Sequence, residues 1–253
     1  MKSIHSFFTG STLLLVFSTA MFATQTYNSG TCGTGFNNIP DAIDNATPGQ
    51  LACFLNITDV GLLSNSNLLT VSLIGFQHEA SGDLIATLMH FTDATQTTMY
   101  GTVVTLFSRP GKLSSDPNDF GYSAPFGAPS GGDNYDFNST FTGDLWATAA
   151  ALGAIDYIPG NSAGSTGYFT TSAFSSANNG FSTAFSGQPV AGYWVLLLTD
   201  NAPGPTVGST GTLQQWALTV NGTVGSVPEP CTAWLLASAL ATCFAFRKLR
   251  NAR

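Results

Sequence analysis

Gly160-Asn161-Ser162-Ala163-Gly164 has the Gly-x-Ser-x-Gly spacing of a nucleophile elbow. That chemistry needs a strand before the serine, a helix after it, and a histidine within reach as general base. Pro159 precedes the motif, and Ser165-Thr166-Gly167-Tyr168 is a poor helix start. His78 and His90 both precede Ser162, whereas the elbow's usual order places histidine last. The motif therefore reads as a chance match in a Gly/Ser-rich loop, and the chain is expected not to be an enzyme. Carboxylate pairs able to serve glycoside hydrolysis are Asp133 with Asp136, and Asp83 with Asp200. All four stand in turns or at strand ends, where Asp commonly caps backbone groups. Asp116-Pro117-Asn118-Asp119, with Asp133, gathers hard oxygen ligands of the kind calcium takes. The spacing is not that of an EF-hand, and solvated turn residues are the alternative reading. Trp146, Tyr157, Tyr168 and Phe169 lie near loops and could stack on a sugar ring.

Cys32 and Cys53 form an even pair in the body of the chain. A disulfide closing this loop is the expectation, and two buried thiols the alternative. A two-cysteine metal site is disfavoured, because no histidine lies nearby to complete it. Charged residues make up 8% of the 253, about a third of the usual share. Of the seven Lys and Arg, only Arg109 and Lys112 lie within residues 24–226, while Glu229 is the one acidic residue outside that stretch. Such a body cannot neutralise phosphates, so nucleic-acid binding is excluded. A helical cytosolic protein is disfavoured too, because its solvent faces would be rich in Glu, Lys and Arg.

Strands with period-two alternation must position these residues. Leu69, Val71 and Leu73 share one face, with Thr70 and Ser72 on the other. Gly82-Asp83 turns into Leu84–Met89. Thr102–Phe107 ends at Arg109-Pro110-Gly111. Asn134–Phe141, Tyr193–Leu198 and Leu213–Val220 complete the set. No stretch shows a sustained helical period with capping signals. Pro- and Gly-rich segments at 108–133, 156–192 and 201–211 read as long loops on one domain. Around eight strands predict an all-β, two-sheet jelly-roll sandwich.

The two ends are of another kind. Lys2, the apolar Leu13–Phe17 run and small residues near Ala20 and Ala23 have the order of a secretory signal peptide, taken here as residues 1–23. A short membrane anchor is the alternative. Val227-Pro228-Glu229-Pro230 precedes an apolar run over 231–246, followed by Arg247, Lys248, Arg250 and Arg253. A run of that length is slightly short for a hydrocarbon core, and the basic cluster should stay cytoplasmic. Over 227–253 this arrangement resembles the PEP-CTERM sorting signal of Gram-negative bacteria. The resemblance implies a transient inner-membrane anchor and processing by an exosortase near Val227-Pro228-Glu229-Pro230. It implies a destination in the cell envelope or extracellular matrix. A permanent tail anchor is the alternative.

Within the body, Gln77-His78-Glu79-Ala80-Ser81-Gly82-Asp83-Leu84 resembles the His-x(3–4)-Gly-Asp-Leu hairpin of the P domain, also called Homo B. Gly101–Arg109 and Gly132–Phe137 are similar to its next strand and central segment. Gly192-Tyr193-Trp194-Val195-Leu196, Asp200 and Gly211–Thr219 resemble its closing pair. Gly208-Ser209-Thr210-Gly211 lacks the acid usual in that family's last turn, which weakens any cation site built on it. The resemblance covers 50–222, with 24–49 as an N-terminal segment. It implies a galactose-binding-like sandwich, of a kind usually attached to subtilisin-like proteases and not itself catalytic. The expected role is structural or adhesive, with a glycan or envelope protein as ligand. The alternatives are an accessory domain serving such a protease in trans, and a calcium-dependent carbohydrate-binding module.

Overall fold

The computed structural model describes residues 24–28, 32, 37–44, 46–59, 61–63, 69–101, 103–116, 119–127, 131–152, 156–160, 167–169, 171–172, 175–178, 184–203, 211–221 and 223–224. The expected signal segment 1–23, Ser162, the Gly208–Thr210 turn, Val227-Pro228-Glu229-Pro230 and the 231–246 run lie outside them. No helix among the described residues is long and apolar enough to cross a membrane.

The first strands are β1 (Thr24–Asn28), β2 (Asn38–Ile39), β3 (Gly49–Ile57), β4 (Leu62–Leu63), β5 (Leu69–Phe76), β6 (Leu84–Phe91), β7 (Val104–Ser108) and β8 (Asp133–Phe137). Helix α1 (Leu145–Ala151) follows, then β9 (Thr171–Ser172), β10 (Ser175–Asn178), β11 (Gly192–Asp200), β12 (Gly211–Thr212), β13 (Gln215–Asn221) and β14 (Thr223–Val224). Two four-stranded sheets dominate, ordered β1-β13-β5-β8 and β3-β11-β6-β7, with every pairing antiparallel. Short ribbons β2–β12, β4–β14 and β9–β10 trim them.

Alternation explains why these segments pair. β3 buries Leu51, Cys53, Leu55 and Ile57 and turns Gln50, Phe54 and Asn56 outward. β6 buries Leu84, Ala86, Leu88 and His90 at every second position. The inner faces of both sheets share one core, in which Phe107 of β7 lies 5.4 Å from Phe137 of β8. This is an all-β sandwich.

Three details depart from the sequence expectation. The 24–49 segment is woven into the sandwich: β1 edges one sheet against β13, and β2 pairs with β12. β8 stops at Phe137 because Asn138 Oδ1 accepts the Thr140 N–H and folds the chain into a turn. α1 is a genuine helix whose N-cap, Asp144, accepts the Ala147 N–H at 3.0 Å. Its seven residues are too few for a sustained period to show in the sequence.

Candidate functional site

β6 and β11 run antiparallel, with Asp200 paired to Leu84 at one end and Tyr193 paired to Phe91 at the other. The two buried histidines therefore fall at opposite ends of the sandwich.

At the first end, His78 follows β5 and is fixed by two backbone bonds with Phe126, at 3.1 and 2.8 Å. Its Nε2 donates to Asp200 Oδ2 at 3.0 Å, with both side chains buried. Its Nδ1 lies 3.0 Å from the Ala80 carbonyl and 3.3 Å from the Ala80 N–H. Asp200 Oδ1 in turn accepts the Ala202 N–H at 3.1 Å. Gly211 closes over the ring: a Cβ there would stand 2.4 Å from His78 Cδ2, closer than packing allows. A 3-10 turn, Ser81–Asp83, then presents Asp83 beside this pair. Arg109 completes the cluster, its Nε donating to the Gly82 carbonyl at 2.9 Å and its Nη2 to Asp119 O at 3.3 Å.

Asp83 is 8% exposed. Burial lifts its carboxyl to about 7, helped by the charges of Asp200 and Glu79 and opposed by His78 and Arg109. It lines a shallow cleft of about 250 Å³, with Ala80, Phe120, Tyr122, Ser123 and Pro203 among the other walls. Asp83 and Asp200, one of the two candidate carboxylate pairs of the sequence, meet in one buried cluster. They are not a free pair, because Asp200 is held by His78 and Ala202.

At the other end, His90 stacks on Trp194, with centroids 3.9 Å apart and planes 7° from parallel. Tyr100 covers it at 4.7 Å. Its Nε2 lies 3.1 Å from Ala191 O, and its Nδ1 lies 3.3 Å from Gln188 Oε1. Two acceptors face the ring, and a neutral imidazole can donate to only one of them. Burial nonetheless lowers its pKa.

The calcium candidates do not assemble. Asp119 Oδ2 accepts from Leu113 N, Ser114 N and Ser114 Oγ at 2.9 to 3.1 Å, and Oδ1 accepts from Gly121 N at 3.3 Å. These bonds, Leu113's first, hold its carboxyl below the usual range. The Lys112 ammonium sits among the loop carbonyls instead, donating to Asp116 O and, at 2.9 Å, to Asp119 O. Asp133 stands apart on β8, opposite Phe76. No group of three or more His, Cys, Asp or Glu among the described residues is placed to hold a metal. Among the described residues of this loop, the Asp116 and Asp119 carbonyls face Lys112 and the Asp119 carboxylate is taken up by backbone N–H groups; Asn118 lies outside them.

Cys32 and Cys53 are joined in a disulfide. It ties the N-terminal segment to β3, with Cys32 N–H donating to Asn37 Oδ1 at 3.1 Å. Of the aromatics considered for sugar stacking, Trp146 and Tyr168 are buried, while Tyr157 is 40% exposed.

No family model, curated protein or solved structure matches this chain.

Proposed function

We propose that this chain is an exported, non-catalytic, P-domain-like sandwich of the jelly-roll, galactose-binding-like kind. An exosortase-type enzyme sorts it to the envelope or exopolysaccharide matrix. There it acts as a structural or adhesive module for a glycan or envelope protein. The observation that supports this reading best is convergence. Segments whose likeness to the P domain was seen piecewise, His78–Leu84, Arg109, Asp200 and Gly211, meet in one buried latch. A set of weak local matches gains weight when distant members touch, because chance likeness carries no such requirement.

Two further observations agree. The Cys32–Cys53 bridge suits an oxidising compartment outside the cytoplasm. β1 begins at Thr24, so cleavage after Ala20 or Ala23 leaves that strand whole. The non-catalytic half rests on the histidines: each is buried with both ring nitrogens facing partners, so neither offers a nitrogen to an outside substrate. The same latch also favours the second reading, an accessory domain for a subtilisin-like protease in trans. A calcium-dependent carbohydrate module is not supported by a loop that holds Lys112.

The test compares the native host with a strain lacking its exosortase-type enzyme. Mature protein from the wild-type matrix should carry an intact disulfide by mass and lack every residue beyond the Pro228-Glu229-Pro230 region. The deletion strain should hold a longer precursor in its inner membrane. Peptides covering Phe246–Arg253 in the extracellular fraction would overturn the sorting half. Co-purification of a stoichiometric protease would favour the second reading. Hydrolysis of casein or simple esters, abolished by Ser162→Ala, would overturn the non-catalytic half.

A further inference from the structure

We propose that the cleft beside Asp83 is a binding site for one basic side chain, a lysine or arginine presented by a partner protein. This goes beyond the sorting and adhesive reading and does not depend on it.

The carboxyl comes first. Asp83 is more than nine-tenths buried and lines the cleft; Asn201 donates to its backbone carbonyl, but no described residue donates to its carboxyl, on which the surroundings act through burial and charge. Asp200 is held by His78 and Ala202, and Asp119 by Leu113, Ser114 and Gly121, while Glu79 Oε1 is buried without a partner and adds a second unmet acceptor at this end. A buried carboxylate without a donor is costly, and a cation entering the cleft would remove that cost.

Charge decides the sign of the ligand. Asp200 and Glu79 add to the negative potential at Asp83. Against them stand Arg109 and His78. Arg109 is committed to the Gly82 and Asp119 carbonyls, and His78 to Asp200. Arg109 and Lys112 are the only Lys and Arg among the described residues, and both are buried, at 9% and 5% exposure. The domain thus presents an acidic field outward, which draws cations toward the cleft.

Shape decides the kind of cation. Ala80, Ala202 and Pro203 supply apolar walls, and Phe120 and Tyr122 supply aromatic ones. An alkyl stem tipped with one charge fits that lining, since stems of this kind bury on apolar surface while the head finds its partner. Aromatic faces near the head add cation–π attraction. A neutral sugar would leave Asp83 uncompensated. An amino sugar would neutralise it but bring several hydroxyls to a lining whose polar side chains are Asp83, Tyr122 and Ser123.

Calorimetric titration of the full-length protein with Nα-acetyl-lysine amide at pH 8 tests this, with glucosamine as the second probe. Asp83→Asn removes the charge without changing shape. Ser123→Trp blocks the exposed rim and leaves the core alone, so it still reports if the first variant fails to fold. The lysine probe should bind the wild type, and each variant should weaken it at least about tenfold. Raising salt from 50 to 500 mM, or lowering pH to 5.5, should also weaken it, the latter by protonating Asp83 among its neighbours His78, Glu79, Asp200 and Arg109. Undiminished binding to Asp83→Asn, no binding of the lysine probe to the wild type, or glucosamine binding more tightly than lysine would each overturn the proposal.

Discussion

His78 and His90 lie at opposite ends of the β6–β11 pair, roughly 20 Å apart along the strands, and are held by different physics. His78 is held by charge and hydrogen bonds: Asp200 on one nitrogen, Ala80 on the other, and Arg109 and Asp83 close by. His90 is held by aromatic surface, with Trp194 and Tyr100 on its faces and Phe185 at its edge. A glycine presses on each ring, Gly211 on His78 and Gly192 on His90, where a Cβ would stand 2.4 and 2.5 Å away. At the aromatic end both ring nitrogens of His90 face groups of the chain itself, Ala191 O and Gln188 Oε1. The polar end leaves the Asp83 carboxyl and Glu79 Oε1 without a protein donor and opens onto a cleft. Buried polar groups are costly unless fully paired, so an unpaired one beside an opening marks the end that has something left to bind.

The largest difference between the two ends should appear at Asp200. Asp200→Ala strips His78 of its partner and leaves the Ala202 N–H unmet. Urea unfolding should show a loss of roughly 3 kcal/mol or more. A loss below about 1 kcal/mol would mean that the latch contributes little.

Asp83→Asn should act in the opposite direction. The folded carboxyl lies at about 7, above its unfolded value near 4, so the folded state binds the extra proton between those limits. Its contribution to stability is complete below about pH 4 and fades as pH rises through about 7. The variant should match the wild type at pH 4 and exceed it at pH 8, by on the order of 2 kcal/mol.

His90 has the reverse sign. Its folded pKa is depressed, so its contribution is present above the unfolded value near 6.5 and is lost as pH falls. His90→Phe keeps the stack on Trp194 but surrenders the one ring N–H bond available to Ala191 O or Gln188 Oε1. It should cost about 1 kcal/mol at pH 8, and less at pH 5, by the same urea measurement.

The smallest expected effect lies in the neighbouring loop. Millimolar calcium should leave the thermal midpoint unmoved, because Lys112 already faces the carbonyls of Asp116 and Asp119.

The sheets were legible where burial alternates. Leu69, Val71 and Leu73 in β5 and Trp194, Leu196 and Leu198 in β11 report their inner faces directly. β3 alternates as clearly in its burial, but Gly49, Gln50 and Asn56 make its sequence resemble the loops beside it. The disulfide was legible because Cys32 and Cys53 are the two cysteines outside the apolar 231–246 run, which leaves them one pairing. The polar end was not: His78 and Asp200 are 122 residues apart, and no local period reports a contact that only the paired strands create. The loop acids show a related limit of local pattern. Asp116 and Asp119 look like a cation cage in sequence, and the structure fills that role with Lys112 from the same loop. Buried Asp83 carried a faint signal, an acid followed at once by the apolar alternation of β6.

Carbon-13 NMR of the Asp83 side-chain carboxyl, followed from pH 3 to 9 in the full-length protein, tests the central claim most directly. The midpoint should lie near 7, with Asp119 titrating below the usual carboxylate range as an internal contrast. An Asp83 midpoint near the unperturbed 4 would contradict it, because the carboxyl would then be solvated or paired and the cleft would have nothing left to bind.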